Sequence, residues 1–206
     1  MASRLMRLLA SGLILNATFP LDAWAATTPV GVAQPAPPSR LTRNSSTRWT
    51  LCPGVERSTR AALQGAADGF GLALEIVSAR AESEFEAAFA RMAALKTEAL
   101  LVTTDPLFMG GRGSLVGLAA RHAVPTSYPW REFVDVGGLI SYGPSLTEAY
   151  RQVGVYAGKI LGGESPADLP VMQPTTFELV VNLKTAKQLG LLVPLSILGR
   201  ADEVVE

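Results

Sequence analysis

Residues 99–133, ALLVTTDPLFMGGRGSLVGLAARHAVPTSYPWREF, hold the pattern from which the fold can be read. An apolar run ends at Asp105-Pro106. A small-residue helical stretch follows, and then a short second strand that closes on Pro129-Trp130-Arg131-Glu132. A residue before proline is driven out of helical geometry, so Asp105 marks a corner where a strand gives way to the next element. Polar and aromatic side chains therefore recur where strands stop.

The same alternation extends in both directions. Upstream, Arg48 to Cys52 reads as a short strand, Val55 to Phe70 as a helix with Leu63, Ala66, Ala67 and Phe70 on one face, and Leu72 to Ala79 as a nearly continuous apolar strand. Ser83 and Glu86 have the spacing of a capping box, ahead of Phe85, Phe89, Met92 and Leu95 at helical intervals. Ala99 to Thr104 is the third strand, Gly113 to His122 a helix, Thr126 to Tyr128 the fourth strand and Leu139 to Tyr142 the fifth. Farther on, Ser145 to Gly163 is an amphipathic helix and Phe177 to Val181 a strand. Asn182 caps a helix that Gly190 ends, and Pro194 starts a short one. Strands separated by helices at this spacing predict parallel βαβ units: an α/β fold with an open, mostly parallel sheet flanked by helices.

Ligands of open α/β sheets sit beyond the carboxyl ends of the strands. Those ends carry Cys52-Pro53-Gly54, Asp105-Pro106-Leu107, Pro129-Trp130-Arg131-Glu132 and Ser141-Tyr142-Gly143. Each has two readings. Asp105 caps the following helix or meets a ligand. Trp130 and Arg131 offer an aromatic face and a planar fork for an aromatic or aliphatic acid, or else form a core Trp beside a surface Arg-Glu pair. Tyr142 lines the site or packs at a strand's end.

Composition narrows the function classes. In 206 residues, Lys+Arg 18 balances Asp+Glu 18, so no net cationic surface calls for nucleic acid, and 48% hydrophobic residues are ample for a core. Cys52 is the only cysteine and His122 the only histidine, which rules out an intramolecular disulfide and leaves the usual zinc sites short of ligands. No metal or cofactor is expected. Cys52 reads as a packed thiol at a strand's end, and His122 as a ring near the last carbonyls of its helix.

Catalytic templates also fail. Gly111-x-Gly113 puts Val116 where a dinucleotide fingerprint needs its third glycine; there is no Gly-Lys-Ser/Thr phosphate loop and no G-x-S-x-G elbow. The chain does not read as an enzyme.

The first 47 residues differ from the rest. Arg4 and Arg7 precede the apolar run Leu8 to Phe19, and Ala23-Trp24-Ala25 offers small residues where a signal peptidase reads, so 1–25 is expected to be a signal peptide cleaved after Ala25. The alternative is a buried N-terminal helix; the run is shorter than the ~20 apolar residues of a membrane span. No cysteine follows at once to carry a lipid. Residues 26–47, rich in Pro, Ser and Thr, read as a disordered linker, and the α/β unit as 48–206.

The runs AESEFEAAFARM, ALLVTTDPLF and the long stretch from LAARHAVPTSYPWREF to LGLLVP, with the closing RADEVVE, resemble ABC transporter substrate-binding proteins of the tryptophan/phenylalanine-binding type. The similarity spans about 72–206 and is weaker over 48–71. It implies one lobe of the type I periplasmic binding architecture, capture of a small solute such as an amino acid, delivery to an ABC permease in the inner membrane, a periplasmic location, and no catalysis. It carries a ligand-facing role onto Asp105, Trp130, Arg131 and Glu132, with Tyr142 as a further candidate at the same strand ends. It carries none onto Cys52-Pro53-Gly54, which stands where relatives have an Asn-Pro turn. Family members close two lobes on the ligand. Here the chain passes from the linker almost directly into what resembles the second, so a truncated, impaired product is one expectation.

In that architecture the Ser145 to Gly163 helix leaves its own lobe to pack on the other. Its stripe of Leu146, Ala149, Tyr150, Val153, Ala157, Ile160 and Leu161 then needs a partner surface, and self-association is expected. Two other classes stay open: a stand-alone interaction or regulatory domain, which binds a partner and no small solute, and a small exported enzyme, whose turnover would depend on Asp105 or Glu132.

Overall fold

A computed structural model describes residues 48–51 and 57–206. The expected signal peptide, the linker, Cys52-Pro53-Gly54 and the expected helix start at Val55 lie outside them. The described residues form one seven-stranded sheet in the order β2-β1-β3-β4-β5-β6-β7. Strand β1 (Arg48–Leu51) leads through helix α1 (Arg57–Gly69) to the edge strand β2 (Ala73–Ile76). Helix α2 (Phe85–Ala94) crosses back to β3 (Ala99–Leu101), on the other side of β1. Helices α3 (Pro106–Gly110) and α4 (Arg112–Arg121) then lead to β4 (Thr126–Tyr128), and α5 (Arg131–Asp135) to β5 (Ile140–Pro144). All these neighbours pair in parallel, as the spacing predicts.

The parallel run ends at β5. Helix α6 (Leu146–Leu161) and a long connection bring β6 (Phe177–Asn182) back antiparallel to it. Helices α7 (Leu183–Gln188) and α8 (Leu195–Leu198) precede the last strand, β7 (Glu203–Val205), which is parallel to β6.

Two apolar layers sandwich the sheet. On one face Phe85, Phe89 and Met92 of α2, Leu115 and Leu118 of α4 and Phe133 of α5 pack on Leu100, Val102 and Tyr128. Tyr128 stacks on Phe133, ring centroids 4.8 Å apart. On the other face Ala186, Leu191 and Ile197 cover Ala99, Ile140 and Val181. Strand residues buried on both sides explain the continuous apolar runs in the sequence.

Several boundaries differ from the sequence reading. The expected capping box does not form. Ser83 lies inside a 3-10 turn, Glu82–Glu84, that carries the chain into α2, and the Glu84 carboxylate accepts from the Arg80 backbone N–H at 2.7 Å. The expected strand Leu72 to Ala79 stops at Ile76, because its neighbour β1 pairs only with Ala73–Ile76. Val77 and Ala79 are nonetheless buried. Asn182 caps α7 as expected, its Oδ1 accepting from Thr185 N–H at 2.9 Å, and Gly190 ends that helix at φ 67°.

Candidate functional site

The order β2-β1-β3 places a topological switch between β1 and β3, because the first crossover moves to one side of β1 and the next to the other. Asp105 follows β3 at that point. Its Oδ1 accepts from Leu107 N–H at 2.8 Å and so caps α3, while among the described residues its second oxygen has no partner. The cap reading is realised with half of the carboxylate still available.

The segments beyond successive strands are locked together by packing. Phe85, after β2, meets Phe108, after β3, with ring centroids 5.9 Å apart. A Cβ on Gly111 would come within 2.7 Å of the Phe85 ring, so only glycine lets these segments approach as they do. Between β4 and β5 the approach is closer still: a Cβ on Gly143 would lie 1.8 Å from the Pro129 carbonyl oxygen. Trp130 is half-buried at the start of α5 and packs on the same apolar cluster as Leu107 and Met109. The ends of β3 and β4 are neighbours in the sheet, and the segments that leave them carry an indole, two flexible apolar side chains and a carboxylate.

Arg131 turns elsewhere. Its Nη2 donates to the Glu203 carboxylate of β7 at 2.8 Å, with Glu178 of β6 at 3.8 Å and Asp135 at 3.9 Å. The hydrogen bond to Glu203 is the main reason its pKa rises above the usual guanidinium value. Three carboxylates thus hold this fork over β6 and β7. Glu132, in the next position, is half-buried and has no ion pair among the described residues.

Tyr142 pairs in register with Leu179, and Leu179 packs in the apolar layer under α7 and α8. Alternation along β5 puts Tyr142 on the face opposite Ser141, whose register partner is Tyr128 of the Phe133 layer. Its ring stacks on Phe177 at 5.6 Å, and burial is the first cause of a raised phenol pKa. Of the candidates, Asp105 and Trp130 follow the adjacent strands β3 and β4, Arg131 pairs with carboxylates of α5, β6 and β7, and Tyr142 lies on the face of β5 opposite Ser141.

Leu107 belongs to a strand-end segment named from the sequence, whereas Met109 and Arg112, which follow it, were not singled out there. Arg112, half-buried at the first position of α4, donates to the Met109 carbonyl at 3.0 Å and has no carboxylate partner among the described residues. The signal for it was its position: the first residue after the Gly110-Gly111 pair that ends α3. Among the described residues no three His, Cys, Asp or Glu side chains are grouped to hold a metal ion, and no helix is long and apolar enough to cross a membrane.

Comparison with known proteins fits this arrangement. A domain from a Streptococcus pneumonia ABC protein, solved in complex with L-Trp, is similar at 27% identity and TM-score 0.68, covering 80% of this chain and 58% of that one. A conserved domain protein from Vibrio cholerae matches at 21% identity and TM-score 0.68, covering 77% of this chain and 54% of that one. The open, ligand-free form of a Clostridium difficile substrate-binding protein matches at 22% identity and TM-score 0.54, covering 79% and 55%. The chain thus spans little more than half the length of these structures. No curated protein matches. The sequence profile described as ABC transporter substrate binding protein matches residues 52–205, three quarters of the sequence, and the chain belongs to that family.

Proposed function

We propose that the protein captures a small organic solute, an amino acid or an aromatic or aliphatic acid, for an ABC import system, and that it works outside the cytoplasm after removal of residues 1–25. The observation that carries this reading is that Trp130, Leu107 and Met109 leave the adjacent strand ends of β4 and β3 packed on one core cluster, with the half-committed carboxylate of Asp105 also following β3. An indole face with apolar neighbours suits a flat or branched side chain, and a carboxylate suits an ammonium group. Support also comes from the L-Trp complex of the pneumococcal relative.

Glu132 lies within this proposed site. Arg112 is the better-placed cation for a solute carboxylate, because Arg131 is already held by Glu203. We assign Arg131 and Tyr142 to the flank of the site, where they fix the strand ends that carry it.

A thermal-shift series with amino acids and aromatic acids tests the reading. A solute that binds only the native state raises the melting temperature, the stabilisation growing with the logarithm of one plus its concentration over Kd. A rise with one chemical class, abolished by Trp130→Ala, is the expected result; a flat response across the panel favours an interaction domain that binds a protein partner instead.

A further inference from the structure

The segment from Pro129 to Phe133 leaves β4 and carries Trp130, and a glycine holds it at each end. At the far end the Gly138 N–H, just ahead of β5, donates to the Phe133 carbonyl at 2.8 Å. A Cβ on Gly138 would lie 2.7 Å from that oxygen and 2.8 Å from the Tyr128 ring. At the near end a Cβ on Gly143, within β5, would lie 1.8 Å from the Pro129 carbonyl oxygen. Real Cβ atoms come no closer than about 3.0 Å to such neighbours, so the two ends differ in degree. Alanine at 138 asks for a retreat of about 0.3 Å, and alanine at 143 for about 1.2 Å.

The Pro129 carbonyl belongs to the same rigid peptide plane as the Trp130 nitrogen, so what displaces one displaces the other. Little beyond that plane can absorb the movement. Trp130 has an extended backbone, its carbonyl accepts from the Phe133 N–H at 3.2 Å, and Phe133 and Val134, which follow it, are fully buried.

We propose that Gly143 is a positioning residue for the solute: by leaving room for the Pro129 carbonyl against β5, it sets where the Trp130 ring stands. This inference rests on the reading of Trp130 as a solute contact. A binding group works within roughly 0.5 Å of its productive place, a margin that the shift at 138 respects and the shift at 143 exceeds. Two glycines on one segment therefore differ in what they do for binding.

Calorimetric titration of the full chain with L-tryptophan tests this, with the Trp130 indole N–H signal, identified by its loss in Trp130→Phe, followed by NMR. Gly143→Ala should move that signal and weaken binding by the folded protein at least ~10-fold, whereas Gly138→Ala should keep affinity within ~3-fold of the wild type. Because Gly143→Ala also strains the fold, Pro129→Gly supplies a second route. It adds no atom, frees the backbone ahead of Trp130, and should broaden the indole signal and weaken binding in a chain whose circular dichroism is unchanged. A purely structural role would lower stability and leave the affinity of the folded protein alone. Wild-type affinity with an unmoved indole signal, in Pro129→Gly or in folded Gly143→Ala, overturns the proposal. A wild-type chain that binds neither L-tryptophan nor any other solute of the panel defeats the solute reading itself, and this inference with it.

Discussion

Asp105 shows how one side chain serves two ends. As an N-cap it satisfies a backbone N–H that would otherwise lack a partner, which is worth about 1 kcal/mol, and its second oxygen is not used by the cap. The two roles separate by substitution. Asp105→Ala should lower stability in urea by about 1 kcal/mol. Asp105→Asn keeps the cap and removes the charge, so stability should hold while solute affinity falls. Arg131 is a different case. Its partners are all partly exposed, so solvent screening limits Arg131→Ala to roughly 0.5–1 kcal/mol, with the loss appearing as faster hydrogen exchange in β7. The raised pKa of Tyr142 has a definite sign: the folded state holds the phenolic proton more tightly than the unfolded chain does. Its contribution is complete below the unfolded value of ~10 and is lost as pH rises through the higher folded value. Tyr142→Phe should therefore weaken the alkaline loss of stability expected in denaturation series above about pH 10.

At the scale of elements, the closest contact is the approach of β5 to Pro129. Gly143→Ala would press a methyl group into a backbone carbonyl, which neither strand end can yield to cheaply; a loss of about 3 kcal/mol or more is expected by chemical denaturation. Strand β3 was legible because burial leaves a continuous apolar run, Ala99 to Val102. The strand ends were legible for a related reason, since Asp-Pro and Gly residues break such runs. Short elements were not. Helices α3 and α5 have five residues each, too few to show a period, and β7 has three, its strand character coming from pairing with β6. The Ser83–Glu86 spacing misled because a capping box needs an extended residue just before the helix, and Glu84 is already in helical geometry there. The direction of Arg131 was illegible too. It depends on Glu203, 72 residues away in sequence.

At the scale of the molecule, two apolar layers on one sheet form a self-sufficient core, and the features that remain unpartnered lie at its edges: the rim beyond β3 and β4, and the outer face of α6. A core truncation such as Phe133→Ala should cost about 3–5 kcal/mol, far more than any rim substitution, because Phe133 is fully buried against Tyr128. The central claim is that the ends of β3 and β4 form one solute-binding rim. Its most direct test is a titration of the isotope-labelled chain with L-tryptophan followed by backbone NMR. The account predicts shift changes concentrated at residues 103–112 and 129–132. Saturable binding whose shifts fall elsewhere and leave both segments unmoved would contradict it.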